Sequence, residues 1–267
     1  MSGPVAELVR RGMSAVRRSA FWWGFATLVF AVLNLAFWPS LEESGSLTEL
    51  EDSMGDLLEA FGAQGLSTPA GYLDGQLYAL MLPLLLSGAV IAMTTALTSG
   101  DEDAGRLELL HALPLERRMI WLARWGAATA MLGVIVLVTT TAVSASLVPF
   151  SLDEAGFGPV IAATLACGAL AAFHGSVAYL VGGLGGSRGL ALGSAVGVLL
   201  VGYIVAFVLP ISDALSGARR WSPWNWAIGE QPVSDGVGVG LLTIVLATAA
   251  LVAIGTWAVE RRDVRSA

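Results

Sequence analysis

The sequence predicts an all-α membrane protein with six transmembrane helices, both termini in the cytoplasm and an interfacial helix at the N-terminus. Three observations carry this. Hydrophobic residues make up 55% of the chain and charged ones only 13%, where a soluble domain carries about 25% charge. Six long uncharged runs place spans near residues 19–41, 75–99, 121–148, 158–184, 189–212 and 236–259. Each supplies the roughly 20 residues needed to cross the hydrocarbon core, and none shows the ten-residue alternation of a barrel strand. Finally, the 14 basic residues are all arginine; twelve fall on one side of this layout, and only Arg219 and Arg220 on the other. The positive-inside rule then puts both termini in the cytoplasm. The net charge of −7 carries no nucleic-acid signal, because most of the acidic residues fall in loops assigned outside.

Residues 1–18 read as the interfacial helix. Pro4 suits its first turn, Val5, Leu8, Val9, Met13 and Val16 share one face, and arginines cover the other. Span one follows, ended by Phe37, Trp38 and Pro39 with no small-residue cleavage site. The outside loop, 42–74, contains its own amphipathic pattern. Ser46 and Glu49 have capping-box spacing, and Leu47, Leu50, Met54, Leu57, Leu58 and Phe61 recur at helical intervals opposite acidic residues. Such a helix suits either capping its own spans or meeting a second subunit. No ligand spacing there points to a metal.

Pro83 within span two predicts a kink, since proline frees a helix carbonyl. Between spans two and three lies the most charged stretch at a membrane edge, 99–118. Asp101, Glu102 and Asp103 open it, Gly105 follows, Leu107, Leu109, Leu110 and Leu113 give an apolar face, and Pro114 precedes Arg117 and Arg118. This pattern predicts a short cytosolic helix lying across the ends of two spans, a shape suited to being pushed by a soluble partner. Hydroxyl residues in span three (Thr139 to Thr141, Ser144, Ser146) favour close helix packing. Span four holds the single cysteine, Cys167, and His174, a titratable group within the membrane. Intramembrane ionisable residues are functional candidates, although an imidazole satisfied by a neighbouring hydroxyl is the plainer reading.

A glycine-rich turn, VGGLGGSRGLALGSAVG, joins spans four and five and predicts antiparallel neighbours in close contact. Within it Gly185-Gly186-Ser187-Arg188-Gly189 matches G-x-S-x-G, a pattern that marks a nucleophile only between a strand and a helix. In the last outside loop Trp221, Trp224 and Trp226 with Pro223 suit an aromatic belt at the lipid boundary, or a half-helix dipping back into the outer leaflet. Arg219 and Arg220 there suit lipid phosphates, an anionic substrate or salt bridges to the 42–74 loop. Pro83, His174, Trp221, Trp224 and Trp226 form the candidate pathway or gating set.

This arrangement resembles the permease subunits of type-two ATP-binding-cassette (ABC) exporters. The resemblance rests on the run Asp101 to Pro114 followed by Arg117 and Arg118, and on Ser222-Pro223-Trp224-Asn225-Trp226 before the last span. It implies that 99–118 is a coupling helix. Its docking set would be Asp101, Glu102, Gly105, Leu107, Glu108, Leu109, Leu110, Leu113, Pro114 and Arg117, seated on a soluble ABC ATPase. The three leucines 109, 110 and 113 would fill a groove while Glu102, Glu108 and Arg117 fix orientation. The resemblance also implies a second permease copy or paralogue, and export of a hydrophobic or amphipathic compound such as a drug, an antibiotic or a lipid-like molecule. ATP and Mg would sit on the partner: the chain has no lysine, so it holds no G-x-x-x-x-G-K-[ST], and no bound cofactor or catalytic residue is expected. Arg106 in place of a small hydroxyl residue, His111 within the leucine run and the long outside loop depart from the pattern and leave the substrate open. Two other readings stand beside it: an intramembrane serine protease-like enzyme, in whose family the catalytic His follows the Ser whereas His111 and His174 both precede Ser187, and a membrane anchor for an ATPase that transports nothing.

Overall fold

The computed structural model describes residues 3–60, 65–105, 115–237 and 240–261. Among these there is no strand, and six helices are long and apolar enough to cross a membrane. Span four is the most enclosed of the six; spans one and six are the least.

Span one is a single helix, Pro4–Ser44, of 41 residues. At 1.5 Å per residue that is about 60 Å, twice the thickness of a hydrocarbon core. The sequence divides this stretch into an interfacial helix and a separate span; the structure runs them together, through Pro39, until Gly45 turns left-handed (φ 67°) and ends the helix. The reason is packing. A Cβ on Gly12 would lie 2.7 Å from the Ala127 Cβ, and one on Gly24 would lie 3.5 Å from Ile135. The N-terminal turns are thus pressed against span three, which runs parallel to span one, and continue its axis. The outer helix Ser46–Ala60 follows, bent at Met54. Its Leu47 and Leu58 meet the bundle while Leu50 and Met54 stay exposed; Phe61 lies outside the described residues.

Span two is segmented. Thr68 caps Pro69–Leu73, a π turn spans Asp74–Tyr78, and the α-helix restarts as Met81–Leu97. The break falls at Leu80 (φ −141°, ψ −56°). Pro83 accounts for it: lacking an N–H, it cannot bond the Ala79 carbonyl four residues earlier. The expected kink is therefore present, one turn before the proline. A second break at Thr98 leads into the short helix Ser99–Asp103.

Span three is Arg117–Leu147 and span four Phe157–Gly183; span five is Arg188–Tyr203, prolonged through a π turn to Ile211, and span six is Leu241–Arg261. Spans four and five are neighbours, but the tightest backbone approach in the glycine-rich stretch is to span six. A Cβ on Gly183 would lie 2.5 Å from the Gly255 carbonyl oxygen, and Tyr179 beside it bonds Thr256 through its hydroxyl at 2.8 Å. On another face of span four, Gly182 lets Ser99 of span two approach closely.

Candidate functional site

The residues singled out by sequence gather in three places along the bundle. At the end carrying most of the arginines, the acidic run 101–103 is built into the frame. Asp101 is 8% exposed and its carboxylate accepts from Arg124 of span three. Asp103 accepts the Arg188 backbone N–H at 2.9 Å, so an acidic side chain sits at the N-terminus of span five, where the helix dipole favours it. The Arg188 side chain in turn lies over Gly100; a Cβ there would meet its Cδ at 3.3 Å. Arg118 pairs with Glu116 and, at 3.5 Å, with Glu260 of span six. Spans two, three, five and six are thereby cross-linked by charge at one level. Of the predicted docking residues, Asp101 is buried and paired with Arg124. Glu102 is half-buried, and Gly105 takes the left-handed conformation (φ 68°) that ends the short helix. Arg117 opens span three, exposed. Leu107, Glu108, Leu109, Leu110, Leu113 and Pro114 lie outside the described residues.

At mid-depth, His174 is fully buried and its Nδ1 lies 2.9 Å from the Ser87 hydroxyl. Ser87 stands one turn after Pro83, so two members of the predicted gating set share a patch with a serine that the sequence did not single out. Trp224 completes it, its ring centroid 6.4 Å from the imidazole. The short helix Pro223–Ala227 brings it there. Ser222 caps that helix by accepting the Trp224 N–H and donates its own hydroxyl to the Gly202 carbonyl at 2.6 Å, while the Trp224 indole donates to Leu199. Both carbonyls belong to span five, so the loop folds back into the bundle. Trp224 is fully buried with its indole N–H satisfied by the Leu199 carbonyl, whereas a belt tryptophan would face the lipid boundary. Trp221 is 70% exposed, and Trp226 donates to the Arg220 carbonyl at 2.7 Å. Neither touches the His174 patch. Among the described residues the other imidazole nitrogen, Nε2, has no partner.

At the opposite end, Asp74 is fully buried and accepts three hydrogen bonds: Val233 N–H at 2.8 Å, Ser234 N–H at 2.9 Å and the Ser234 hydroxyl at 2.7 Å. This clamps span two to the loop before span six. Sequence reading passed over it, because an aspartate at the edge of an apolar run looks like the last loop charge; only the 159-residue separation from Val233 closes the contact. Arg219 pairs with Glu230 in its own loop and donates to the Ala206 carbonyl at 2.9 Å. Partial burial pulls its guanidinium below the ordinary value.

Ser187 does not look like a nucleophile: its hydroxyl accepts the Leu190 N–H and caps span five. Among the described residues the one buried Ser–His pair, Ser87 with His174, is closed off from the surface. Among the described residues no three His, Cys, Asp or Glu side chains converge to hold a metal.

Compared with known families, residues 7–264 match a family model described as ABC-2 family transporter protein. No curated protein matches the chain.

Proposed function

The chain belongs to the ABC-2 family of transporter proteins, and from that premise we propose that it is the pathway-forming subunit of an export pump, driven by a separate soluble ATPase docked on residues 101–114. It is a multi-pass membrane permease of the ABC class. The observation that carries the finer reading is the anchoring of the acidic run: Asp101 is tied to span three through Arg124, and Asp103 to the start of span five. A partner that displaces the 101–114 segment therefore moves two further spans with it, as an energy-coupling element must. ATP and Mg belong to that partner, and the arginine-rich end faces the cytoplasm, where the ATPase is.

The mid-depth surroundings favour a hydrophobic or amphipathic cargo. The buried ionic groups among the described residues, Asp74, Asp101 and Arg124, sit at the two ends and are engaged there, while the middle presents a neutral Ser87–His174 pair among aromatic rings. A second copy would complete the pathway. Span five supports this: Gly189, Gly193 and Gly197 recur every four residues with open space where a Cβ would project, the small-residue spacing that lets membrane helices approach.

The test is purification from membranes in mild detergent. Wild type should bring down a stoichiometric P-loop ATPase, and Leu110→Asp should lose it while still inserting. Retention of the ATPase by Leu110→Asp would refute the assigned docking segment; a preparation with no ATPase activity would refute the pump.

A further inference from the structure

We propose that the groove between spans one and three is a binding site for one anionic phospholipid, its acyl chain lying along the groove and its phosphate held at Arg17. The groove has a volume of about 330 Å³ and is walled by Phe21, Phe25, Leu28, Met131, Val134 and Val138. Ala20 and Gly24 floor it, and Arg17 is the one charged residue in its lining. From Arg17 to Leu28 it follows the helix for about 16 Å. Its walls open outward: Phe21 is 62% and Val134 49% exposed, and Phe21 and Phe25 stack with centroids 6.3 Å apart.

Charge selects the occupant. Of the four arginines in this part of span one, Arg10 and Arg11 close on Glu7 at 2.7 and 2.8 Å. Arg17 and Arg18 are exposed and have no acidic partner among the described residues. Span three contributes no compensating carboxylate at this level; its charges are Arg117, Arg118 and Arg124, below the groove. An oily slot ending at the uncompensated Arg17 guanidinium matches an acyl chain that ends in a phosphate, and a basic side chain at a membrane surface attracts anionic headgroups. This site is independent of the pump reading, since it uses neither the acidic run nor the mid-depth patch.

Native mass spectrometry of the purified full chain, offered phosphatidylglycerol or phosphatidylcholine with identical chains, tests it. Wild type should retain one phosphatidylglycerol in preference to phosphatidylcholine. Arg17→Gln should lower phosphatidylglycerol retention about fivefold, the loss expected for one basic contact, and Arg17→Lys should restore most of it. Gly24→Leu, whose Cβ meets Ile135 at an ordinary 3.5 Å and whose remaining atoms fill the slot, should abolish retention of both lipids. Equal retention of the two lipids by wild type, an unchanged Arg17→Gln, or full retention by Gly24→Leu would each overturn the proposal.

Discussion

Removing one member of the Asp101–Arg124 pair should cost far more than removing both. The side chains are 11% and 10% exposed respectively, so each gave up most of its hydration on folding. Two unit charges in contact at an effective dielectric of about 20 attract by about 4 kcal/mol, and that attraction offsets the desolvation. Arg124→Gln takes the compensating cation from a buried carboxylate, with an expected penalty of about 3–5 kcal/mol. Asp101→Asn with Arg124→Gln leaves two neutral amides that can bond each other, and most of the penalty should disappear. The assay is the thermal midpoint of the detergent-solubilised protein, read by size-exclusion recovery, for both single variants and the double. Either single variant should melt several degrees lower, and the double should return close to wild type. A double variant as unstable as the sum of the singles would refute the reasoning, because the two charges would then not be compensating each other. In the pump proposed above, Arg124→Gln should also keep the ATPase bound while lowering ATP-driven export, since it cuts the link to span three and leaves 104–114 unchanged in sequence.

The remaining predictions concern the other end and the helix crossings. Asp74→Ala should leave the Val233 and Ser234 N–H groups without their acceptor, at about 1–3 kcal/mol each, and should raise protease cleavage within residues 230–237; Asp74→Asn, which keeps an acceptor, should do less. Gly183→Ala places a methyl group 2.5 Å from the Gly255 carbonyl and should destabilise the crossing of spans four and six by about 1–3 kcal/mol, measured as a lower thermal midpoint. Ser187→Ala removes a helix cap, worth about 0.5–2 kcal/mol, and should leave transport intact; loss of all activity in a folded Ser187→Ala protein would revive the protease reading.

Much of the architecture was legible because lipid imposes a one-dimensional rule. A stretch that crosses the membrane must be helical and apolar for about 20 residues, so counting residues between charges located six spans. The kink from Pro83 was legible for a similarly local reason, a missing N–H. The identity of the family was legible in the acidic run and its arginines. What sequence left open was partnership. The N-terminal 18 residues carry an amphipathic pattern suited to lying in the interface, and the same apolar face packs on span three, where Gly12 approaches Ala127. Trp224 carries the signature of an interfacial belt, yet a carbonyl of span five satisfies its indole and draws it inside.

The sequence by itself determined that this protein is a six-span helical membrane protein with its arginines gathered at one end, since hydrophobicity, length and charge count along the chain decide that. Only the tertiary structure decided which charges remain available. Asp101, Asp103, Asp74 and Arg219 stand alike at or beyond the ends of apolar runs, and each is engaged by a group elsewhere in the chain: Arg124, the Arg188 N–H, Val233 with Ser234, and Glu230. Among the described residues Arg17 and Arg18 have no such partner. The physical reason is that burying a charge requires a compensating group within hydrogen-bond reach, and that reach is set by how the spans pack.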